Sequence, residues 1–387
     1  MIRVGKQMVG SSYLADARTL GVLGLLSLSG LCPPVAAVNP EPPVHVIVHA
    51  HPGEFEGWPA NNGVWNWGDE ILVGFKSGPY KANANGHSVV PGNDRRFRLA
   101  RSLDGGATWN VEDPVNFVGR GGKAIPSPGG INFADPNFAM RLERTEFFVS
   151  SDRGRSWKGP YALPTFNRVL TARTDYIVNG PTDCLLFVSA AEPRVNASLQ
   201  DRAACIRTRD GGKTFQFLSW MAGEPISTRS VMPSTVRISK RELVSVLRRR
   251  DDTGGQKCWI DAFGSNDDGS SWKFLSKVAD TGPKNGNPPS MVRLSDGRLV
   301  VTYGVRTAPF GIRARISSDN GRTWGRECVL RQDAGTWDFG YTRTVQRADG
   351  RLVTIYYYNT RELPEQHIAA TVWDPNSFPS NSYRTSK

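Results

Sequence analysis

An eight-residue pattern repeated five times constrains this chain more than any other feature. Ser102-Leu-Asp104-Gly-Gly106-Ala-Thr-Trp109 returns as Ser150-Ser-Asp152-Arg-Gly154-Arg-Ser-Trp157, and again as Thr208-Arg-Asp210-Gly-Gly212-Lys-Thr-Phe215. Ser265-Asn-Asp267-Asp-Gly269-Ser-Ser-Trp272 and Ser317-Ser-Asp319-Asn-Gly321-Arg-Thr-Trp324 complete the set. Successive copies start 48, 58, 57 and 52 residues apart, the length of one supersecondary unit of four strands with loops. A short Asp side chain accepts hydrogen bonds from the backbone of its own tight turn, and a Gly two residues on supplies a positive φ. The leading Ser or Thr can add a further turn bond, and the closing aromatic can pack between neighbouring sheets. Each copy follows a strand-like run, such as Gly311–Ile316, so each is expected to be a hairpin turn at the rim of a sheet.

A second repeat runs between the turns. Pro233-Ser-Thr-Val-Arg-Ile-Ser, continuing to Arg248, matches Pro289-Ser-Met-Val-Arg-Leu-Ser, continuing to Tyr303, and Thr342-Arg-Thr-Val-Gln-Arg-Ala, continuing to Tyr356. Each reads as strand, turn, strand. The last copy has no eight-residue turn after it, so its outer strand is expected from the region of Val44–His49, which would join the two ends of the chain. Gly 40 and Pro 26 supply turns, and Trp 11, Tyr 10 and Phe 17 suit half-buried strands.

The eight-residue turn resembles the Asp-box of the sialidase (neuraminidase) superfamily, a BNR-type repeat. The resemblance covers about residues 40–375 and implies an all-β fold, a six-bladed β-propeller over residues 38–378 with a short tail at 379–387. In that superfamily the boxes are structural and lie away from the active site.

Residues 1–37 read as a signal peptide. Arg3 and Lys6 form a basic start, an apolar run spans Leu20–Leu31, and Val35-Ala36-Ala37 offers small residues for cleavage. The expected location is therefore secreted or periplasmic, with no membrane span. The formal charge is +12; the first 37 residues carry three basic groups and one acid, so the remainder keeps +12 − 2 = +10. A basic surface suits an anionic partner, here a glycan. No nucleic-acid motif accompanies the charge, and no residue spacing calls for a metal or other cofactor. Cys184 and Cys205 fall on two apolar runs, where a disulfide and two buried thiols are both open readings. Asn196-Ala-Ser198 fits a glycosylation sequon.

Sialidases hold a carboxylate with three arginines, attack with a Tyr activated by a Glu, and use an Asp acid/base on a first-blade loop. The resemblance implies Tyr341 as nucleophile, Arg248 or Arg249 and Arg306 as carboxylate ligands, and Asp94 as acid/base, with His87 in the same loop. Two parts depart from the pattern. Gly57-Trp58-Pro59-Ala60 stands where an Arg-Ile-Pro motif is expected, and Pro233 where the activating Glu is expected. Arg343 or Arg229 are candidates for the missing arginine; Asp338, Asp69 or Glu70 for the missing carboxylate. Trp65 and Trp67 are candidates for a sugar platform. The function expected is an exo-glycosidase acting on an acidic sugar. A lyase on a uronate polymer, which needs no activated nucleophile, and a non-catalytic glycan-binding propeller are the alternatives.

Overall fold

The computed structural model describes residues 41–92, 95–113, 123–171, 173–191, 201–223 and 228–378. Asp94 and Asn196 lie outside them, as do residues 1–40, on which the signal-peptide expectation rests, and 379–387.

The chain is all-β, built as a succession of antiparallel sheets, with one helical turn at Pro59–Asn62 and a short 3-10 turn at Pro375–Ser377. The first sheet orders Glu54–Gly57, Glu70–Pro79, Arg96–Ser102 and Asn110–Glu112, and Val64–Trp67 also pairs with Glu70–Pro79. The second holds Ala139–Glu143, Glu146–Ser150 and Lys158–Ala162. A nine-stranded sheet follows, which divides at one parallel pair, Arg202 with Ser230. Its first part, the third sheet, is centred on Cys184–Ala191 and Arg202–Thr208. The remainder, the fourth, orders Thr228–Arg237, Leu243–Asp251, Lys257–Ser265 and Lys273–Asp280. The fifth orders Ser290–Arg293, Leu299–Val305, Gly311–Ser317 and Cys328–Arg331. The sixth orders Gly340–Gln346, Leu352–Tyr358 and His367–Trp373, with Val44–His49 at its edge. The N-terminal strand thus pairs with the C-terminal one and covers an edge that would otherwise be open.

The apolar core divides the same way. Leu72 and Leu99 of the first sheet cluster with Ala139 and Phe148 of the second. Met140 and Phe147 meet Leu186 and Ile206 of the third, and Phe187 and Cys205 meet Leu243 and Phe263 of the fourth. Val246 and Ile260 meet Val301 and Tyr303 of the fifth, and Val300 and Ile312 meet Leu352 and Tyr358 of the sixth. Ile355 and Tyr357 of the sixth pack on Phe55 and Phe75 of the first.

The repeated turns show why the pattern needs its residues. In the first, Ser102 Oγ accepts the Gly106 amide at 2.8 Å, and Asp104 accepts the Thr108 amide at 2.9 Å and the Thr108 hydroxyl at 2.6 Å. The same set recurs around Asp152, Asp210, Asp267 and Asp319. The Thr108 hydroxyl bond outweighs the small cost of burial, and with the turn amides it holds the Asp104 carboxyl down at about 2. At Gly154, φ is 77°, and a Cβ would stand 2.4 Å from Leu72 Cδ2 of the preceding sheet. The matching glycines of the first, fourth and fifth sheets face Val353, Cys205 and Val244, each on the sheet before.

Cys184 and Cys205 are free thiols. Phe187, not Cys184, stands opposite Cys205 in the ladder, so the two sulfurs are out of register and the disulfide reading fails.

Gly154→Ala is expected to cost about 2–5 kcal/mol, from the left-handed backbone plus the clash with Leu72. Gly350→Ala, at φ 87° with open space around it, should cost only about 1–2 kcal/mol. Thermal denaturation of both variants checks this, and equal midpoints would contradict it.

Candidate functional site

A cavity of about 410 Å³ is lined by Asn61, His87, Thr171, Arg173, Ser189, Asp201, Arg229, Val231, Met232, Arg248, Asn285 and Tyr341. It draws on the first, third, fourth and sixth sheets, with Asn285 from the segment between the fourth and fifth. Two of its walls are bulges in innermost strands. The pairing of Thr228–Arg237 with Leu243–Asp251 slips between Val231 and Ser234, and that of Gly340–Gln346 with Leu352–Tyr358 slips between Gly340 and Arg343. Bulges re-aim side chains. Met232 and Tyr341, at φ 54° each, hold left-handed backbone there, and Asn285 does so at φ 56°. Three strained residues that are not glycine around one cavity fit a functional site better than a packing accident. Asn287 pins the bulge by accepting the Tyr341 amide at 3.0 Å. Its Oδ1 lies 2.1 Å from where a Gly340 Cβ would stand, so only glycine fits before Tyr341.

Tyr341 is buried, and the hydrogen bond recorded for its hydroxyl comes from Arg248 Nη1 at 3.4 Å. Burial pushes its pKa up, but the Arg248 and Arg306 charges, the Arg248 hydrogen bond and the Arg173 charge more than offset this. The phenol is left below the ordinary tyrosine value. Among the described residues no carboxylate hydrogen-bonds to this hydroxyl. Arg248 is fixed in turn by the Asn285 carbonyl. Arg229 is gripped by both oxygens of buried Asp201, and Arg173 donates from Nε to Asn61 Oδ1 at 3.0 Å.

His87 enters from the excursion that follows Glu70–Pro79. Its Nδ1 lies 2.7 Å from Asp338 Oδ1. Asp338 is 1% exposed and also accepts the Ser88 amide at 2.9 Å and the Tyr357 hydroxyl at 2.7 Å. Burial pushes the Asp338 carboxyl up, but the His87 hydrogen bond and charge, with Tyr357 and Arg306, hold it below the usual range. An anionic Asp338 selects the Nδ1–H tautomer and leaves Nε2 as the acceptor. The imidazole stands edge-on to Trp58 at 5.0 Å, and its centroid is 6.4 Å from that of Tyr341.

The other sequence candidates go elsewhere. Arg249 turns to the opposite face of its strand and meets Asp261 at 3.4 Å, as alternation requires. Arg306 is 2% exposed and donates to the carbonyls of Lys284, Gly286 and Phe339 and to the Tyr357 hydroxyl. It braces the loops behind Tyr341, with its guanidinium 6.0 Å from that ring, and does not line the cavity. Arg343 bonds to the carbonyls of Ala60 and Thr174 and lines a different cavity with Trp65 and Trp67. Glu70 binds Arg101, Arg153 and Arg155 beside the repeated turns, and Asp69 is exposed in a hairpin there. Neither can serve Tyr341. Arg173, Asn61, Asp201, Met232 and Asn285 were not candidates. Met232 precedes Pro233 as Tyr341 precedes Thr342, so the second repeat does carry a signal for it. Arg173 and Asp201 lie in irregular segments with no periodic signal. Among the described residues no cluster of His, Cys, Asp and Glu is arranged to hold a metal ion.

These features define an all-β repeat protein with a basic, tyrosine-bearing cleft. The BNR repeat-like domain model matches residues 123–354, and the chain belongs to that family. Solved structures with the same fold include a protein of unknown function from Dyadobacter fermentans, 21% identical with a TM-score of 0.64, over 85% of this chain and 97% of that one. The α-L-arabinanase of Penicillium chrysogenum, solved with arabinobiose, is 16% identical with a TM-score of 0.57, over 85% and 97%. The NanB sialidase of Streptococcus pneumoniae is 10% identical with a TM-score of 0.57, over 86% of this chain and 71% of that one. At these identities the likeness is one of β-propeller fold. No curated protein matches the chain in sequence.

The lowered Tyr341 pKa should be visible in an ultraviolet absorbance titration. One tyrosine ionises below the ordinary value in the wild type, is missing in Tyr341→Phe, and moves upward in Arg248→Met. A wild-type protein in which every tyrosine titrates at or above the ordinary value would refute the electrostatic assignment.

Proposed function

We propose that this chain is an exported, six-bladed propeller glycosidase that removes a carboxylated sugar from glycans. One observation carries the reading: a tyrosine held by arginine and a histidine backed by a buried aspartate line the same cavity. The succession of sheets and of inter-sheet cores, closing from the sixth onto the first, supports six blades. The fold is shared with an arabinanase and a sialidase, which supports a glycosidase. Export rests on the sequence of residues 1–37 alone.

Arg173, Arg229 and Arg248 take the sugar carboxylate, which supplies the charge the cavity lacks. The protonated His87 ring donates from Nε2 to the glycosidic oxygen as the Tyr341 phenolate oxygen attacks the anomeric carbon. The leaving alcohol departs with that proton, and a glycosyl–tyrosine bond forms. His87 Nε2 then accepts a proton from water, whose oxygen attacks the same carbon and frees Tyr341. Asp338 holds the ring in place and keeps its tautomer fixed through both steps.

Among the described residues no carboxylate bonds the Tyr341 hydroxyl, and a second reading that needs none is β-elimination on a uronate polymer. There the arginines neutralise the carboxylate, the phenolate removes the neighbouring C–H proton, the C–O bond to the next unit breaks as the double bond forms, and the leaving oxygen takes that proton from the Tyr341 hydroxyl. The two are separated by products. A hydrolase releases the free acid sugar from an aryl glycoside; a lyase yields an unsaturated, ultraviolet-absorbing uronate.

Under hydrolysis, Tyr341→Phe abolishes turnover, and His87→Ala lowers kcat by about 10²–10⁴-fold. Arg229→Ala mainly raises KM. Hydrolysis needs the Tyr341 phenolate and the protonated His87 ring together, so its kcat/KM should pass through a bell with pH, whereas elimination by the phenolate alone should climb towards a midpoint below that of free tyrosine. Wild-type protein inactive on every acidic glycoside and uronate polymer tried would leave only a binding role.

A further inference from the structure

A second cavity, of about 320 Å³, is lined by Val64, Trp65, Asn66, Trp67, Phe138, Thr174, Asp175, Tyr176 and Arg343. It shares no lining residue with the cavity of Tyr341. The wall between them is made of this chain's own polar backbone. Arg343 Nη2 donates to the carbonyls of Ala60 and Thr174, and the Thr174 hydroxyl donates to the Asn61 carbonyl at 3.4 Å. Of three consecutive residues, Arg173 lines the first cavity and Asp175 the second, with Thr174 in the wall between.

Trp65 and Trp67 sit two apart on one strand, so both indoles take the same face. Trp65 is the fixed one: it packs on Trp157 at 5.3 Å, and its Nε1 donates to the Met140 carbonyl at 3.3 Å. Trp67 is half-buried, and among the described residues no hydrogen bond is recorded for its indole. Asn66 Nδ2 donates to the Gly68 carbonyl at 3.0 Å, which leaves its Oδ1 as an acceptor. Asp175 is 8% exposed; its Oδ1 is 3.7 Å from Arg343 Nη1, and its Oδ2 has no hydrogen-bond partner among the described residues. Burial pushes the Asp175 carboxyl up to about 7, against the Arg343 charge and the Thr235 hydroxyl and amide, and its open Oδ2 is where a ligand hydroxyl would bind. Above that pH, where both members are ionised, the Asp175–Arg343 pair has no net charge, so nothing here calls for an ionic ligand.

We propose that this second cavity binds one neutral sugar unit, its C–H face on Trp67 and its hydroxyls on Asp175 and Asn66. The first cavity offers three arginines to a charged group; the second offers aromatic faces and oxygen acceptors. Its volume lies at the low end of small-molecule pockets, about 300–1,000 Å³, which suits a single ring. A ligand of that size binds with a dissociation constant on the order of millimolar. The site does not depend on the catalytic reading above. It would tether the protein to a glycan by a unit other than the one attacked.

The test is a titration of the full chain with glucose, galactose, mannose, arabinose and glucuronate, followed by tryptophan fluorescence and saturation-transfer NMR. At least one neutral sugar is expected to bind in the millimolar range. Trp67→Ala and Asp175→Asn should weaken it at least tenfold, Trp67→Phe should retain part of it, and Tyr341→Phe should leave it unchanged. Circular dichroism and thermal midpoints confirm that each variant is folded. The proposal is overturned if no neutral sugar binds, or if only glucuronate does. Binding that is lost in Tyr341→Phe yet kept in Trp67→Ala overturns it too, since the sugar would then occupy the first cavity.

Discussion

The seating of four of the five repeated turns on the sheet before each is the contact on which the rest of this fold depends. Gly154 reaches Leu72, and the equivalent glycines reach Val353, Cys205 and Val244. Any side chain there would hold the turn off its neighbour. The turn itself cannot relax, because the Ser hydroxyl and the Asp carboxylate satisfy its amides from within. A closed turn with a bare surface lets the aromatic at its end pack as well, as Trp157 does at 3% exposure. The pairing of Val44–His49 with His367–Trp373 then supplies the sixth sheet with an edge strand that no repeated turn provides.

That rigid frame makes local strain affordable at its inner end. Met232, Asn285 and Tyr341 all hold left-handed backbone around one cavity. The constraint is imposed by neighbours: Asn287 accepts the Tyr341 amide and crowds Gly340. Tyr341 is thereby held under Arg248, with Arg306 bracing the loops behind it through four acceptors. The electrostatics follow from the geometry. Burial alone would raise the phenol, and the nearby cations reverse it. Asp338 plays the matching part for His87, tied down by Ser88 and Tyr357 so that its carboxylate faces Nδ1.

Much of the frame was legible in the residues. The five turns, the three strand–turn–strand copies and the closing strand near Val44–His49 follow from patterns that are local in sequence. Tyr341, His87 and Arg248, named by the resemblance, come to line one cavity, whereas Asp338, expected as a carboxylate for Tyr341, holds His87 instead. The assignments that failed to gather did so for identifiable reasons. Arg306 and Arg343 sit at strand positions that could face an axis, but spare backbone carbonyls nearby captured them. Glu70 looked like a free carboxylate and is the hub of three arginines on the turn side. Whether Arg248 or Arg249 faces inward is a matter of strand phase, which the bulge at Val231–Ser234 sets.

The sequence by itself determined the sheet succession and the chemistry of the turns, because each depends on residues within a few positions of one another. It also determined that the pattern's arginine and glutamate are missing, since those are identities. Only the tertiary structure decided what surrounds Tyr341 and His87. Arg173 and Arg229 come from unrelated segments, and the partner of His87 lies 251 residues away in the chain. Only the tertiary structure, too, separated Trp65, Trp67 and Arg343 from Tyr341, because a wall of three backbone carbonyls has no signature in side-chain order.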